Sequence, residues 1–350
     1  MGVKMAFTYL TIIIPSLLAF IGALVSIPFI KNYMLESGVI SIDRNKKDRP
    51  VLPASGGISV AFGFILGIIL YIFGASFHFY HPVASQKFLF ATALSVALIV
   101  FVGFLDDINV KKKEVKTTGM KDIRKGLKQW QKPLFTFIGA IPLMAIAAGT
   151  YTVDIPFIGV VNFGIFYPLV IIPLAVIFVT NAFNLLGGFD GIATGSALIL
   201  SFALLVYAFF FGTYTGLLIS SILFASLLAF LPFTVYKAKI LPGDTLYFGV
   251  SAAFVATVIV GNMEAFGIII FIPWIIEFVL HARKKFDVTD LGNLRSDGTF
   301  EAPYKNGIYS WTHIIMKAKR CKEWEVSLYM WLIEIAFVIL AFGIKLVGLL

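Results

Sequence analysis

Apolar runs of membrane-spanning length recur from one end of this chain to the other, and they constrain its fold more than any other feature. At about 20 apolar residues per crossing, spans read at 7–30, 56–77, 86–105, 133–149, 164–182, 194–211, 215–236, 245–261, 264–282 and 326–349. Backbone polar groups in hydrocarbon must be satisfied within the segment, so these runs fold as helices. The expectation is an all-α polytopic integral membrane protein with about ten transmembrane helices, forming a single membrane domain over 1–350. With 59% hydrophobic and 13% charged residues the chain fits no soluble class. The first run is too long for the core of a cleaved signal and lacks a basic start and a small-residue cleavage site, so it reads as a retained span.

The formal net charge of +9 would suit a nucleic-acid binder, but its placement reports topology instead. All of the 28 basic residues except Lys4, Lys87 and Lys345 lie in the loops after spans one, three, seven and nine. Those loops are expected to be cytoplasmic, which leaves both termini outside and implies no nucleic-acid partner. The basic loop 106–132 and the large loop 283–325 are the main extramembrane elements. With a single cysteine, Cys321, no intramolecular disulfide can form. On the opposite face Tyr151, Val153 and Ile155 alternate with Thr152 and Asp154 before Gly159, the pattern of a small hairpin. Gly63 and Gly67 read as close helix packing rather than a dimer motif.

Polar groups stand out where helices end. The stretch NAFNLLGGFDGIATG at 181–195 sets two carboxamides, one carboxylate and several glycines after an apolar run; alone it reads equally as a helix stop with a glycine turn. Asp106 and Asp107 end span three, where they repel each other and face the negative end of the helix dipole, so a cation is required nearby. Lys111, Lys112 and Lys113 could supply it. Asp244 opens span eight, where an acidic N-cap is an ordinary choice. Together, Asp106, Asp107, Asn184, Asp190 and Asp244 gather hard oxygen ligands at cytoplasmic helix ends beside lysine-rich loops, which suits magnesium and phosphate. There is no GxxxxGK[ST], no GxGxxG after a strand and no His or Cys cluster, which disfavours P-loop and zinc chemistry. Glu277 and Glu334, inside spans, raise a secondary transporter as the rival class; no internal repeat supports it.

Three stretches, FVGFLDDINV at 101–110, NAFNLLGGFDGIATG at 181–195 and PGDTLYFG at 242–249, together resemble the polyprenyl-phosphate N-acetylhexosamine-1-phosphate transferases. The chain is most similar to the archaeal and eukaryotic dolichyl-phosphate branch, since Gly187 stands where the bacterial cell-wall branch has Asp. DRNKKDRPVLPASGGIS at 43–59 also resembles that branch, with Ala54 where eukaryotic members have Glu. DGTFEAPY and YSWTH in the last loop are similar to the archaeal members.

The resemblance implies Mg2+-dependent transfer, with Mn2+ as an alternative ion, of N-acetylglucosamine 1-phosphate from UDP-N-acetylglucosamine to a dolichyl-type polyprenyl phosphate. UMP would leave, and assembly of a lipid-linked glycan would begin, at a cell membrane or the endoplasmic reticulum membrane. It implies Asn184 and Asp244 as metal ligands and Asp106, Asp107, Asp244 and Lys132 as the catalytic set. Asn109, Asn181, Asp190, Gly188, Asp43, Arg295 and His313 are the implied substrate-binding residues. Another UDP-N-acetylhexosamine or undecaprenyl phosphate remains an alternative substrate, and a homodimer stays open.

Overall fold

The computed structural model describes residues 2–108, 127–128, 130–155 and 158–349. Among them, seven helices are long and apolar enough to cross a membrane: α1 (Gly2–Glu36), α2 (Gly57–Ser76), α3 (Gln86–Ile108), α7 (Ile192–Phe211), α8 (Tyr214–Thr234), α9 (Gly243–Gly261) and α13 (Glu323–Leu346). An eighth span forms if α10 (Glu264–Ile270) and α11 (Ile272–Ala282), bent by 56° at Phe271, are taken as one. The bend has a local cause, because Pro273 in the first turn of α11 supplies no amide hydrogen to continue the helix. The chain is thus an all-α polytopic membrane protein.

Two of the expected spans differ from simple crossings. The run 133–149 becomes three short consecutive pieces, α4 (Gln131–Thr136), a 3₁₀ turn (Phe137–Ala140) and α5 (Ile141–Ala145). The run 164–182 becomes a π turn (Tyr167–Ile171) leading into α6 (Ile172–Phe183), with Pro168 and Pro173 interrupting the regular ladder. Four-residue strands β3 (Thr152–Ile155) and β4 (Gly159–Asn162) form the antiparallel hairpin that the alternation implies; β1 (Ile40–Ile42) with β2 (Val51–Pro53) and β5 (Asn293–Leu294) with β6 (Phe300–Glu301) make two more. The last of these lies in the long segment before α13, which also carries α12 (Trp311–Ala318).

Helix α9 is the axis of the bundle. Every residue from Thr245 to Gly261 is buried, with α2, α3, α6, α7 and α8 packed around it. The GxxxG of α2 serves packing within the chain, since a Cβ on Gly63 would lie 2.5 Å from the Ala19 carbonyl oxygen of α1. The two intramembrane carboxylates join helices. Glu334 accepts the Trp274 indole N–H at 3.1 Å, and Glu277 accepts the first backbone N–H of α12, from Trp311, at 2.9 Å.

Candidate active site

The site is assembled where α9 begins. Pro242 delivers the chain, and Gly243 takes a positive φ of 70° in a position where a Cβ would sit 2.3 Å from an Asp107 oxygen. The exposed N–H groups of the helix end are taken by a neighbouring helix. Asp107, at the end of α3, accepts from the Asp244 N–H at 3.0 Å and the Thr245 N–H at 3.4 Å, and from the Ser55 hydroxyl at 2.8 Å. The positive end of α9 therefore answers the charge of Asp107. The possible reading of Asp244 as its own N-cap gives way, because no side-chain cap is formed from within α9. Asp244 is left free to face the opposite way.

There it meets Lys132 of α4. The Lys132 ammonium lies 2.6 Å from Asp106 Oδ2 and 3.2 Å from Asp244 Oδ2. Asn184 closes the group: with its carboxamide turned so that the nitrogen faces the carboxylate and the oxygen the ammonium, it donates to Asp244 Oδ1 at 3.0 Å and accepts from Lys132 Nζ at 3.2 Å. Asp106 also accepts the Leu127 backbone N–H. The cation that paired carboxylates at a helix C-terminus require is thus Lys132, while Lys111, Lys112 and Lys113 lie outside the described residues, as does Asn109.

This donor set fits a magnesium ion. Two carboxylates and a carboxamide converge on one cationic position with no nitrogen or sulfur ligand among them. Among the described residues no group of three or more His, Cys, Asp or Glu could hold a metal alone, so an ion would take its remaining ligands from phosphate and water.

A second charged group stands nearby. Lys46 Nζ contacts Asp190 at 2.7 Å, Glu323 at 2.6 Å and Asp43 at 3.0 Å, and all four side chains are buried. Burial disfavours the ammonium, but the hydrogen bonds and charges of Asp190 and Glu323 outweigh it and raise the Lys46 pKa above the ordinary lysine value. This group grips the glycine loop. Glu323 accepts the Asp190 N–H at 3.2 Å, Ser327 donates to the Asp190 carbonyl at 2.6 Å and the Trp331 indole donates to the Gly191 carbonyl at 3.2 Å. These side chains are four residues apart and share one face of α13. From the long loop, Asp290 accepts the Gly187 and Gly188 N–H groups at 2.9 and 2.7 Å, and Asn45 donates to the Gly188 carbonyl at 2.5 Å.

Between the two charged groups lies a cleft of about 320 Å³ whose lining includes Asp43, Arg44, Asp107, Gly188, Asp190 and Asp244. Other sequence-derived residues fall elsewhere. Asn181 donates to the Ile177 carbonyl at 2.7 Å and to Thr136 at 3.3 Å, tying α6 to α4 rather than lining the cleft. Arg295 pairs with Glu301 at 2.5 Å across the β5–β6 hairpin. His313 is wholly buried, with Nδ1 accepting from the Tyr309 N–H at 3.2 Å and Nε2 2.9 Å from the Thr289 carbonyl. That pattern requires the neutral ring with its proton on Nε2, and burial lowers its pKa accordingly.

Sequence reasoning placed Lys46 only in a topology-bearing loop and missed Asp290 and Glu323. The stripe Glu323, Ser327, Trp331 at helical spacing is the signal that could have found Glu323. Nothing in DVTDLGNLRSDG marks Asp290 among the loop carboxylates.

Residues 89–262 match the family described as Glycosyl transferase family 4. A protein of Saccharolobus solfataricus, provisionally named UDP-N-acetylglucosamine–dolichyl-phosphate N-acetylglucosaminephosphotransferase, is 34% identical over 339 residues, covering 95% of this chain and 96% of that protein. The protein of that name from Dictyostelium discoideum is 23% identical over 300 residues, 75% of this chain and 69% of its own. A phospho-N-acetylmuramoyl-pentapeptide-transferase of Clostridium perfringens is 32% identical over 188 residues, 51% of this chain and 54% of its own.

Proposed function

The chain belongs to glycosyl transferase family 4, and from that membership we propose that it transfers N-acetylglucosamine 1-phosphate from UDP-N-acetylglucosamine to a dolichyl-type polyprenyl phosphate. The single observation that carries this reading to the site is the convergence of Asp106, Asp244 and Asn184 on Lys132, with Asp244 also lining the cleft. A phosphate oxygen of the acceptor attacks the phosphorus that bears the sugar, a new P–O–P linkage forms, and the bond to the nucleotide phosphate breaks to release UMP. Little covalent chemistry is asked of the protein, so positioning and charge supply the rate.

Lys132 places a positive charge beside the reacting oxygens, and Asp106 orients it. Magnesium, held by Asn184 and Asp244, would neutralise phosphoryl charge and align the donor. The acceptor phosphate is largely ionised near neutral pH, so neither Asp106 nor Asp107 need act as a general base. Asp107 instead fixes the start of α9 and with it Asp244. Lys46 ties Asp43, in the loop after α1, to Asp190 of the glycine loop and so helps hold that loop in shape.

The distribution of basic residues supports a cytoplasmic site with both termini outside. A soluble UDP-sugar would enter from that side while the acceptor arrives through the bilayer. The transporter alternative loses its motive, since Glu277 and Glu334 are engaged in contacts between helices. The test is incubation of purified protein with magnesium, polyprenyl phosphate and labelled UDP-N-acetylglucosamine. A labelled lipid diphosphate with stoichiometric UMP is expected; folded protein yielding neither would refute the proposal, and preference for another UDP-N-acetylhexosamine in competition would correct the sugar.

A further inference from the structure

One polar group in the cleft has no task in the structure as it stands. Tyr247 is 8% exposed and lines the cleft. Among the described residues its hydroxyl makes no hydrogen bond, although Asp107, Asp244 and Asp290 all lie in its electrostatic neighbourhood. Phenols that are mostly buried ordinarily find a hydrogen-bond partner, and this one faces the cleft instead. An unpartnered hydroxyl on a cleft wall is where a ligand atom completes the set.

The position of the hydroxyl depends on Gly187. A Cβ at that residue would lie 1.5 Å from the Tyr247 oxygen and 2.4 Å from the ring carbon that bears it. The volume that a side chain at 187 would occupy is therefore filled from across the cleft by the phenol. Gly187 is itself fixed, since its N–H is held by Asp290. Any side chain at 187 would push the hydroxyl out of the cleft wall.

The chemistry of the wall selects the ligand atom. Asp43, Asp107, Asp190 and Asp244 line the cleft as acceptors, with Arg44 beside Asp43. A neutral donor complements an oxyanion. Tyr247 follows Asp244 by three residues, so it lies on the same face of α9 and about 4.5 Å further along its axis. Asp244 is the residue at which the metal and its phosphate ligands would meet.

We infer that the Tyr247 hydroxyl donates a hydrogen bond to a phosphoryl oxygen of the sugar-nucleotide diphosphate, and that Gly187 is the residue that makes room for it. The inference rests on the donor assignment above. It assigns Tyr247 to substrate binding, with no part in bond making or breaking.

Calorimetric titration of the purified full chain with UDP and, separately, with uridine tests it. Tyr247→Phe should weaken UDP about tenfold, as expected for a hydrogen bond to a charged group, and leave uridine unchanged, so that the ratio of the two affinities falls. Unchanged uridine binding also certifies that the variant is folded. Gly187→Ala, which displaces the hydroxyl without removing it, should lower the same ratio. UDP binding by Tyr247→Phe equal to that of the wild type, or equal losses of UDP and uridine, would overturn the inference while leaving the donor assignment standing. Failure of the wild type to bind UDP would overturn both.

Discussion

Lys132 and Lys46 both stand among carboxylates at the same end of the bundle, but they are enclosed to different degrees. The Lys132 side chain and that of its partner Asp244 are each 23% exposed, while its other partner, Asp106, is buried at 1%. Lys46 is 7% exposed, with Asp190 and Glu323 at 5% and 3%. Asp106, Asp244 and Asn184 reach Lys132 from three different segments, and Asp244 also lines the cleft. The Lys46 group is more deeply buried, and its acids also hold backbone: Glu323 accepts the Asp190 N–H of the glycine loop, and Asp190 accepts the Ala238 N–H of the loop after α8. An ion pair shut away from water must stay complete, because removing one partner strands a buried charge. An ion group open to solvent can exchange one partner for a ligand. The more open group is suited to chemistry, and the more buried one to holding the glycine loop in shape.

Parallel substitutions test that division. Lys132→Met should reduce kcat/KM for the transfer by about 10²–10³-fold, the scale of losing one preorganised charge contact, with only a modest change in thermal unfolding. Lys46→Met should do the reverse in emphasis, lowering stability by about 3–5 kcal/mol, read as a depressed unfolding midpoint in detergent before any assay. If the two variants lost stability and activity in the same proportion, the distinction between the groups would collapse.

A smaller effect separates Asp107 from Asp106. Because Asp107 caps α9 from a neighbouring helix, Asp107→Ala should cost about 1–2 kcal/mol of stability and weaken turnover through displacement of Asp244. Asp106→Ala, which removes a partner of Lys132, should affect turnover with less effect on unfolding. Equal unfolding midpoints in the two variants would count against the cap.

The smallest predicted effect concerns pH. Burial lowers the folded-state pKa of His313 below its ordinary value of 6.5. The unfolded chain then binds more protons in the window below 6.5. The stability that neutral His313 contributes is therefore fully present above 6.5 and is lost as pH falls below it. Protonation also ends the Tyr309 N–H bond to Nδ1. A pH series of unfolding midpoints should show this loss in the wild type, and His313→Gln should flatten it.

The helices were legible because burial in hydrocarbon writes itself into long apolar runs. Pro273 signalled a break that sequence reading passed over, since the run 264–282 stays apolar on both sides of the bend. The β3–β4 hairpin could be read from alternation alone. Asp106, Asp244 and Asn184 are expected together at helix ends and Lys132 enters through the resemblance; the structure brings all four into contact. Asp107 could not be read as the cap of α9 because capping is normally local in sequence, whereas here donor and acceptor are 137 residues apart. Asp290 and Glu323 act on glycine-loop backbone more than 100 residues away, and backbone groups leave no residue-type signal. Arg295 enters through the family resemblance, yet it pairs with Glu301 across a hairpin too short to be recognised in advance.

The central claim is that the open group around Lys132 is where cation and phosphate meet. Electron paramagnetic resonance of Mn2+, titrated into purified protein with saturating UDP, addresses it directly. Wild type should convert the free-ion spectrum to a bound one, and Asp244→Asn should leave most of the ion free while Lys46→Met, under conditions where it remains folded, retains the bound spectrum. Undiminished Mn2+ binding by Asp244→Asn would contradict the account.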